Sequence, residues 1–147
     1  MEKQSISGKR KARKLALQAL YQWLMSGSEL SEIEAQFRVA NNMEKVDGDY
    51  FCRLLYGVPE HVMALEDSFT SFLDRDLGGL NPIELTVLRI GSFELLYCPE
   101  IPYKVVLDEA ISLTKEFGSQ DGYRYVNGVL NSVAQEARSV EINLNNE

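Results

Sequence analysis

At 147 residues, with 45% hydrophobic and 25% charged content, the chain is long enough to bury one core or two small ones, and no stretch of it is apolar for the 18 or so residues of a membrane span. Its net charge of −7 averages two unlike parts: residues 1–14 hold six Lys/Arg against Glu2, and the rest holds nine basic against twenty-one acidic groups. Most of such a surface repels a polyanion while one patch holds it, and the acidic body attracts a basic protein partner.

Cys52 and Cys98 stand alone, 46 residues apart, and His61 is the single histidine. That argues against a disulfide framework and a zinc cluster and leaves little means for a Ser/His/Asp or Cys/His device, so no metal or cofactor is expected, although carboxylate or lysine chemistry stays open.

Met1 to Ser7 lacks periodicity and is expected to form a flexible arm, residues 1–8. The basic run is not an export signal, because the apolar stretch Leu15-Ala16-Leu17 stops at Gln18, short of the roughly 7 to 15 residues such a signal needs. A cytoplasmic protein is expected. From Gly8 to about Met25, ending at Gly27, the spacing predicts a helix with two environments. Ala12, Leu15, Ala16, Ala19, Leu20 and Trp23 form one apolar stripe, and Arg10, Lys14, Gln18 and Tyr21 fall opposite. A cationic, aromatic-bearing face on an apolar back suits contact with phosphates and bases.

Ser28 or Ser31 can cap a second helix that buries Leu30, Ile33 and Phe37 and fades at Asn41-Asn42. Asp47 starts a third, with Phe51, Leu54, Leu55 and Val58 inward and a kink or break near Gly57-Val58 ahead of Pro59. Val62, Leu65, Phe69 and Phe72 carry a helix to about Leu73. The glycines and charges of Asp74 to Leu80 read as a linker. Asn81-Pro82-Ile83-Glu84 is a helix start with Asn81 as cap.

From Ile83 to Tyr97 the next helix is apolar nearly all round, which predicts burial at the centre of the C-terminal half. Arg89 within it needs a carboxylate partner, as a core ion pair does. Glu84, at the helix start, is expected to be exposed. Pro102 opens another helix that stops at Gly118. A last one carries Val126, Val129, Leu130, Val133 and Ala137 inward, with Asn127-Gly128 suggesting close approach of a neighbour. After Arg138 the pattern is lost. The expectation is an all-α chain without strands: an N-terminal helical subdomain over 9–75, a C-terminal one over 76–138 and a disordered tail over 139–147.

Five blocks, in order, carry a family resemblance: Arg13-Lys14-Leu15-Ala16-Leu17-Gln18-Ala19-Leu20-Tyr21; Val87-Leu88-Arg89-Ile90 with Glu94-Leu95; Ile101-Pro102-Tyr103-Lys104-Val105; Asp108-Glu109-Ala110-Ile111 with Phe117-Gly118; and Tyr125-Val126-Asn127-Gly128-Val129-Leu130. From Arg10 to about Ala134 the chain resembles the NusB family of bacterial transcription antitermination factors. The resemblance implies two small helical bundles sharing one core, with about seven helices. It also implies no enzymatic activity, and binding of the boxA element of nascent ribosomal RNA jointly with NusE, a small-subunit ribosomal protein. The assembly would be the RNA polymerase antitermination complex, with other Nus factors. Two other classes are a helical accessory RNA-binding domain like those fused to ribosomal RNA methyltransferases, and a helical scaffold that binds only proteins.

Carried over residue by residue, the family's arginine-rich motif falls on Arg10, Lys11, Arg13 and Lys14, where two lysines allow fewer bidentate contacts. Gln18 lies on the same face. Tyr21 is a stacking candidate or a rim residue between helices. Asp121 matches a position at the RNA and partner surface and is equally an ordinary helix cap. Tyr125 is a base-stacking candidate or a core aromatic. Glu84 matches a position facing NusE, with Arg75 a second candidate there.

Overall fold

The computed structural model of the chain describes residues 2–145, with side chains from Ile6 onward. Every regular element among them is helical. The chain divides into two compact units, residues 1–60 and 61–147.

The first unit is built on α1 (Glu2–Ser26), which packs against α3 (Gly48–Glu60) and α2 (Leu30–Ala40). The apolar stripe is buried as its spacing requires, apart from a half-buried Trp23, and Leu17 joins it at 0% exposure, so α1 buries a wider band than one stripe. The expected N-terminal arm is helical from Glu2; Met1 lies outside the described residues. Helix propagation adds one bond per residue once a nucleus exists, so a polar first stretch extends from the buried body without periodicity of its own. At the other end Gly27 takes φ +68, and its N–H donates to Trp23 O at 2.9 Å. Glycine alone adopts this left-handed cap without a steric cost.

The cap of α2 is Glu29, with no side-chain capping bond, so neither Ser28 nor Ser31 performs that role; Ser28 N–H instead donates to Ser26 Oγ. Asp47 does start α3, its Oδ1 accepting from Tyr50 N–H at 3.0 Å. Pro59 stays inside the last turn of α3, and the break comes at His61 rather than at Gly57-Val58.

The second unit surrounds α5 (Pro82–Tyr97) with α4 (Val62–Phe69), α6 (Tyr103–Phe117) and α7 (Gly122–Ala137), and α8 (Ser139–Asn145) packs on α7. Two short 3-10 turns, Thr70–Phe72 and Leu77–Gly79, occupy the linker region. Asn81 caps α5 as its sequence demands, Oδ1 accepting from Ile83 N–H at 2.8 Å and Glu84 N–H at 3.4 Å. Residues Glu84 to Leu95 are buried without interruption, and each fully buried Val or Leu among them contributes roughly 1.5–3 kcal/mol of transfer free energy. Arg89 finds its carboxylate: Nη2 lies 2.6 Å from Glu66 Oε1 on α4. The close helix approach occurs at Gly91, where a Cβ would stand 2.6 Å from Leu130 Cδ1 of α7. Gly128 has nothing within 4 Å of a Cβ position, contrary to the reading of Asn127-Gly128. On α7 Ala134 is buried in place of the expected Ala137, which is exposed.

The predicted disordered tail is corrected as far as Asn145; Asn146 and Glu147 lie outside the described residues. The cause is Arg138, only 7% exposed. Its guanidinium donates to the carbonyls of Glu94, Leu95 and Cys98 at the end of α5 and of Ile101 beyond it, at 2.9–3.1 Å, and to Glu141 Oε1 at 2.6 Å. A helix end has four carbonyls without intrahelical partners, and here one side chain serves several of them. Glu141 Oε2 in turn accepts from Tyr103 N–H at 2.9 Å, in the first turn of α6. The pair therefore joins the end of one helix to the start of the next and anchors α8.

Candidate nucleic-acid interface

Helix α1 sorts its cations by side. Arg10 and Lys11 are exposed and Lys14 is half-buried; Gln18, exposed, donates to Lys14 O at 3.1 Å, and half-buried Tyr21 completes the face. Rises of three and four residues place these groups in a row, on a side that the apolar band leaves to solvent. Arg13 departs from the expectation. It is 2% exposed, with its guanidinium 5.4 Å from the Tyr50 ring centre, a cation–π contact inside the unit. Lys9 lies 5.5 Å from the same ring and 3.5 Å from Asp47 Oδ2. The basic run thus has an inward part, Lys9 and Arg13, and an outward part, Arg10, Lys11 and Lys14. The family motif takes Arg13 together with Arg10, Lys11 and Lys14; its burial is decided by the aromatic receptor, Tyr50, which lies far along the chain.

In the second unit, Asp121 is exposed at the N-cap of α7 and makes no side-chain capping bond, so the ordinary cap role is not what it performs. Tyr125 is half-buried. Its hydroxyl accepts from Asp74 N–H at 3.2 Å, and Arg75 covers its ring at 4.6 Å. Arg75 is held there by Asp74 through two bonds, at 2.6 and 3.1 Å. The Arg75 bond holds the Asp74 carboxyl below its ordinary range, and burial, followed by the Asp74 carboxylate, raises the Tyr125 phenol. The structure therefore brings Arg75 and Tyr125 together, as one stacked pair. Elsewhere on α7, Tyr123 carries Lys115, from the last turn of α6, at 4.6 Å and Arg124 at 5.7 Å, a second aromatic and cationic cluster that pattern reading missed.

Glu84 is corrected. It is 7% exposed, accepts from Ser119 Oγ at 3.3 Å, and occupies the space that a Cβ on Gly122 would need. Its position three residues after a cap says nothing of the α6–α7 turn folding over it. His61 lies half-buried, stacked on Tyr97 with ring centres 4.2 Å apart.

The order of blocks, the all-helical fold and the cationic row can now be set beside known proteins. The model of the NusB family matches residues 10–135. The chain belongs to the NusB family. A Transcription antitermination protein NusB of Legionella pneumophila (strain Corby) is 76% identical over the full length of both chains. One of Hahella chejuensis is 48% identical over 134 residues, 91% of this chain and 90% of that one. The solved structure of T. maritima NusB superposes with a TM-score of 0.74 at 27% identity, covering 87% of this chain and 91% of the other. Membership makes the protein a transcription antitermination factor, a regulatory rather than enzymatic class. No helix among its described residues is long and apolar enough to cross a membrane.

Proposed function

We propose that this NusB family member acts in the cytoplasm by binding single-stranded boxA RNA of nascent ribosomal transcripts together with NusE, as an adaptor in the RNA polymerase antitermination complex with other Nus factors. The observation that carries the reading is the outward cationic row of α1, Arg10, Lys11 and Lys14, continued by Gln18 and Tyr21 and anchored by an apolar back that is buried except at Trp23. Lysine and arginine on such a row supply salt-sensitive phosphate affinity, and the aromatic and amide groups supply base contact. At the start of α7, Asp121 offers a carboxylate to base N–H donors, and Tyr125, with one ring face covered by Arg75, offers a second aromatic contact.

The acidic remainder of the chain favours a basic partner such as a ribosomal protein, with Arg75 and Asp121 as the surface candidates for that contact. Glu84 meets such a partner only through the backbone and turn it supports.

The test is a gel-shift titration of boxA RNA against a scrambled oligonucleotide, with and without NusE, over a salt series. Preferential binding of boxA that tightens with NusE and weakens with salt is expected. Binding indifferent to both sequence and salt would leave a scaffold for proteins alone.

A further inference from the structure

The loop joining α2 to α3 does more than connect them. Its end is stitched to α1: Asp47 N–H donates to Gly8 O at 3.1 Å, and a Cβ on Gly8 would stand 3.3 Å from Asp47 N. Between loop and helix run two adjoining cavities that share Lys11 and Val46. The larger, about 460 Å³, lies between Ser7 and Lys11 on one wall and Glu44 and Lys45 on the other, a volume within the roughly 300–1,000 Å³ range of small-ligand sites. The smaller, about 200 Å³, has Leu15 and Val46 beneath Lys14, Gln18, Asn41 and Asn42.

The two asparagines are each fixed by a local hydrogen bond. Asn41 commits one amide N–H to Phe37 O at 2.9 Å, which leaves its carbonyl and its second N–H for a ligand. Asn42 commits its carbonyl to Glu44 N–H at 3.0 Å and so presents its N–H. An acceptor and N–H donors with set orientations above an apolar floor match the edge and face of a nucleobase. The larger recess supplies what a sugar and phosphate need: Lys11 and Lys45 from opposite walls, and the Glu44 carboxylate as an acceptor for a hydroxyl.

We propose that this groove holds one nucleotide of a bound RNA strand. The base lies against Asn41 and Asn42, the phosphate lies between Lys11 and Lys45, and Glu44 accepts from the ribose 2′-hydroxyl. The assignment rests on the RNA-binding reading above and adds to it a second wall, a cation from outside α1, and a device that tells RNA from DNA.

Lys45→Ala and Glu44→Gln both change exposed loop side chains. Affinities of the full-length protein for a single-stranded boxA RNA and for DNA of the same sequence are measured by fluorescence anisotropy over a salt series. Lys45→Ala is expected to weaken both by about fivefold and to reduce the salt slope by about 0.7, one phosphate contact on a single strand. Glu44→Gln is expected to lose about fivefold for RNA and to bind DNA slightly more tightly, because the carboxylate accepts from a 2′-hydroxyl only in RNA and merely repels the strand in DNA. An acid beside the strand without a ligand of its own gives the opposite sign, tighter binding of both. Lys45→Ala at wild-type affinity, or Glu44→Gln binding RNA more tightly, overturns the groove while Arg10→Ala still weakens RNA binding. No RNA binding by the wild-type protein overturns the groove and the RNA-binding reading together.

Discussion

Glu84 is a carboxylate whose position in sequence and position in space give opposite answers. Three residues after an Asn-Pro start it looks solvent-facing, yet Ser119 and Gly122 close over it. Glu84→Lys is therefore expected to destabilise the fold by about 3–5 kcal/mol, as unpaired buried charge does, read as a lower urea midpoint. An unchanged midpoint would return Glu84 to the surface. Arg13 and Arg10 make a matching contrast. Arg13→Ala should lower the melting temperature, through loss of the Tyr50 contact, and leave the salt slope of RNA binding alone. Arg10→Ala should do the reverse, weakening RNA binding and flattening its slope, in thermal melts and binding titrations of the same two proteins.

Tyr56 on α3 offers a pH reading. Its hydroxyl donates to Glu34 Oε1 at 2.6 Å, and that bond pushes the phenol up to about 12. The folded state then holds a proton that the unfolded state releases near the ordinary tyrosine value of about 10. The stabilisation is complete below that value and is lost as pH rises from it toward 12. A phenolate absorbance titration should show one late-titrating tyrosine that disappears in Tyr56→Phe; an unaltered late phase would assign it to another ring.

Helix ends separate what was readable locally from what was not. The start of α5 was legible because its cap, its proline and the N–H groups they serve lie within four residues. Its other end was illegible because Arg138, which serves those carbonyls, lies 40 to 44 residues downstream of the ones on Glu94, Leu95 and Cys98. Lost periodicity after Arg138 therefore passed for disorder, and one long-range guanidinium was enough to order α8. Gly91 and Gly128 both lie inside continuous helices, and only the facing side chain, Leu130, distinguishes the packing glycine from the exposed one. Arg138→Ala is expected to cost about 2–4 kcal/mol through carbonyls left buried without donors, and to raise amide exchange in α8 and the first turn of α6. Protection in α8 equal to wild type would show that its packing on α7 suffices.

The charge split belongs to the molecule as a whole. With −7 overall, attraction for an RNA strand depends on where cations cluster, and Arg10, Lys11 and Lys14 on the outer side of α1 form such a cluster. Three phosphate contacts from α1 on a single strand contribute about −2 to the slope of log affinity against log salt, and the Lys45 contact proposed above brings it to about −2.8. A slope near zero would remove the cationic row from the interface. The same acidity that repels the rest of the transcript makes a basic protein partner accelerate assembly at low ionic strength, an effect that stopped-flow mixing measures directly. Fold class and the identity of the cationic helix were readable from pattern, since both depend on local periodicity. The partition of the basic run into buried and open members was not, because it is decided by Tyr50, 37 residues beyond Arg13.

Because Arg138 follows the α5 carbonyls so late, a chain emerging from the ribosome has all of residues 1–60 outside long before the clasp on its central C-terminal helix is synthesised. Helix α1 and its unit are thus expected to mature during translation, and the half carrying α5 only afterwards. Ribosome-stalled chains cut before or after residue 138 and followed by an unstructured spacer long enough to bring that residue out of the exit tunnel would differ in protease resistance in that half alone.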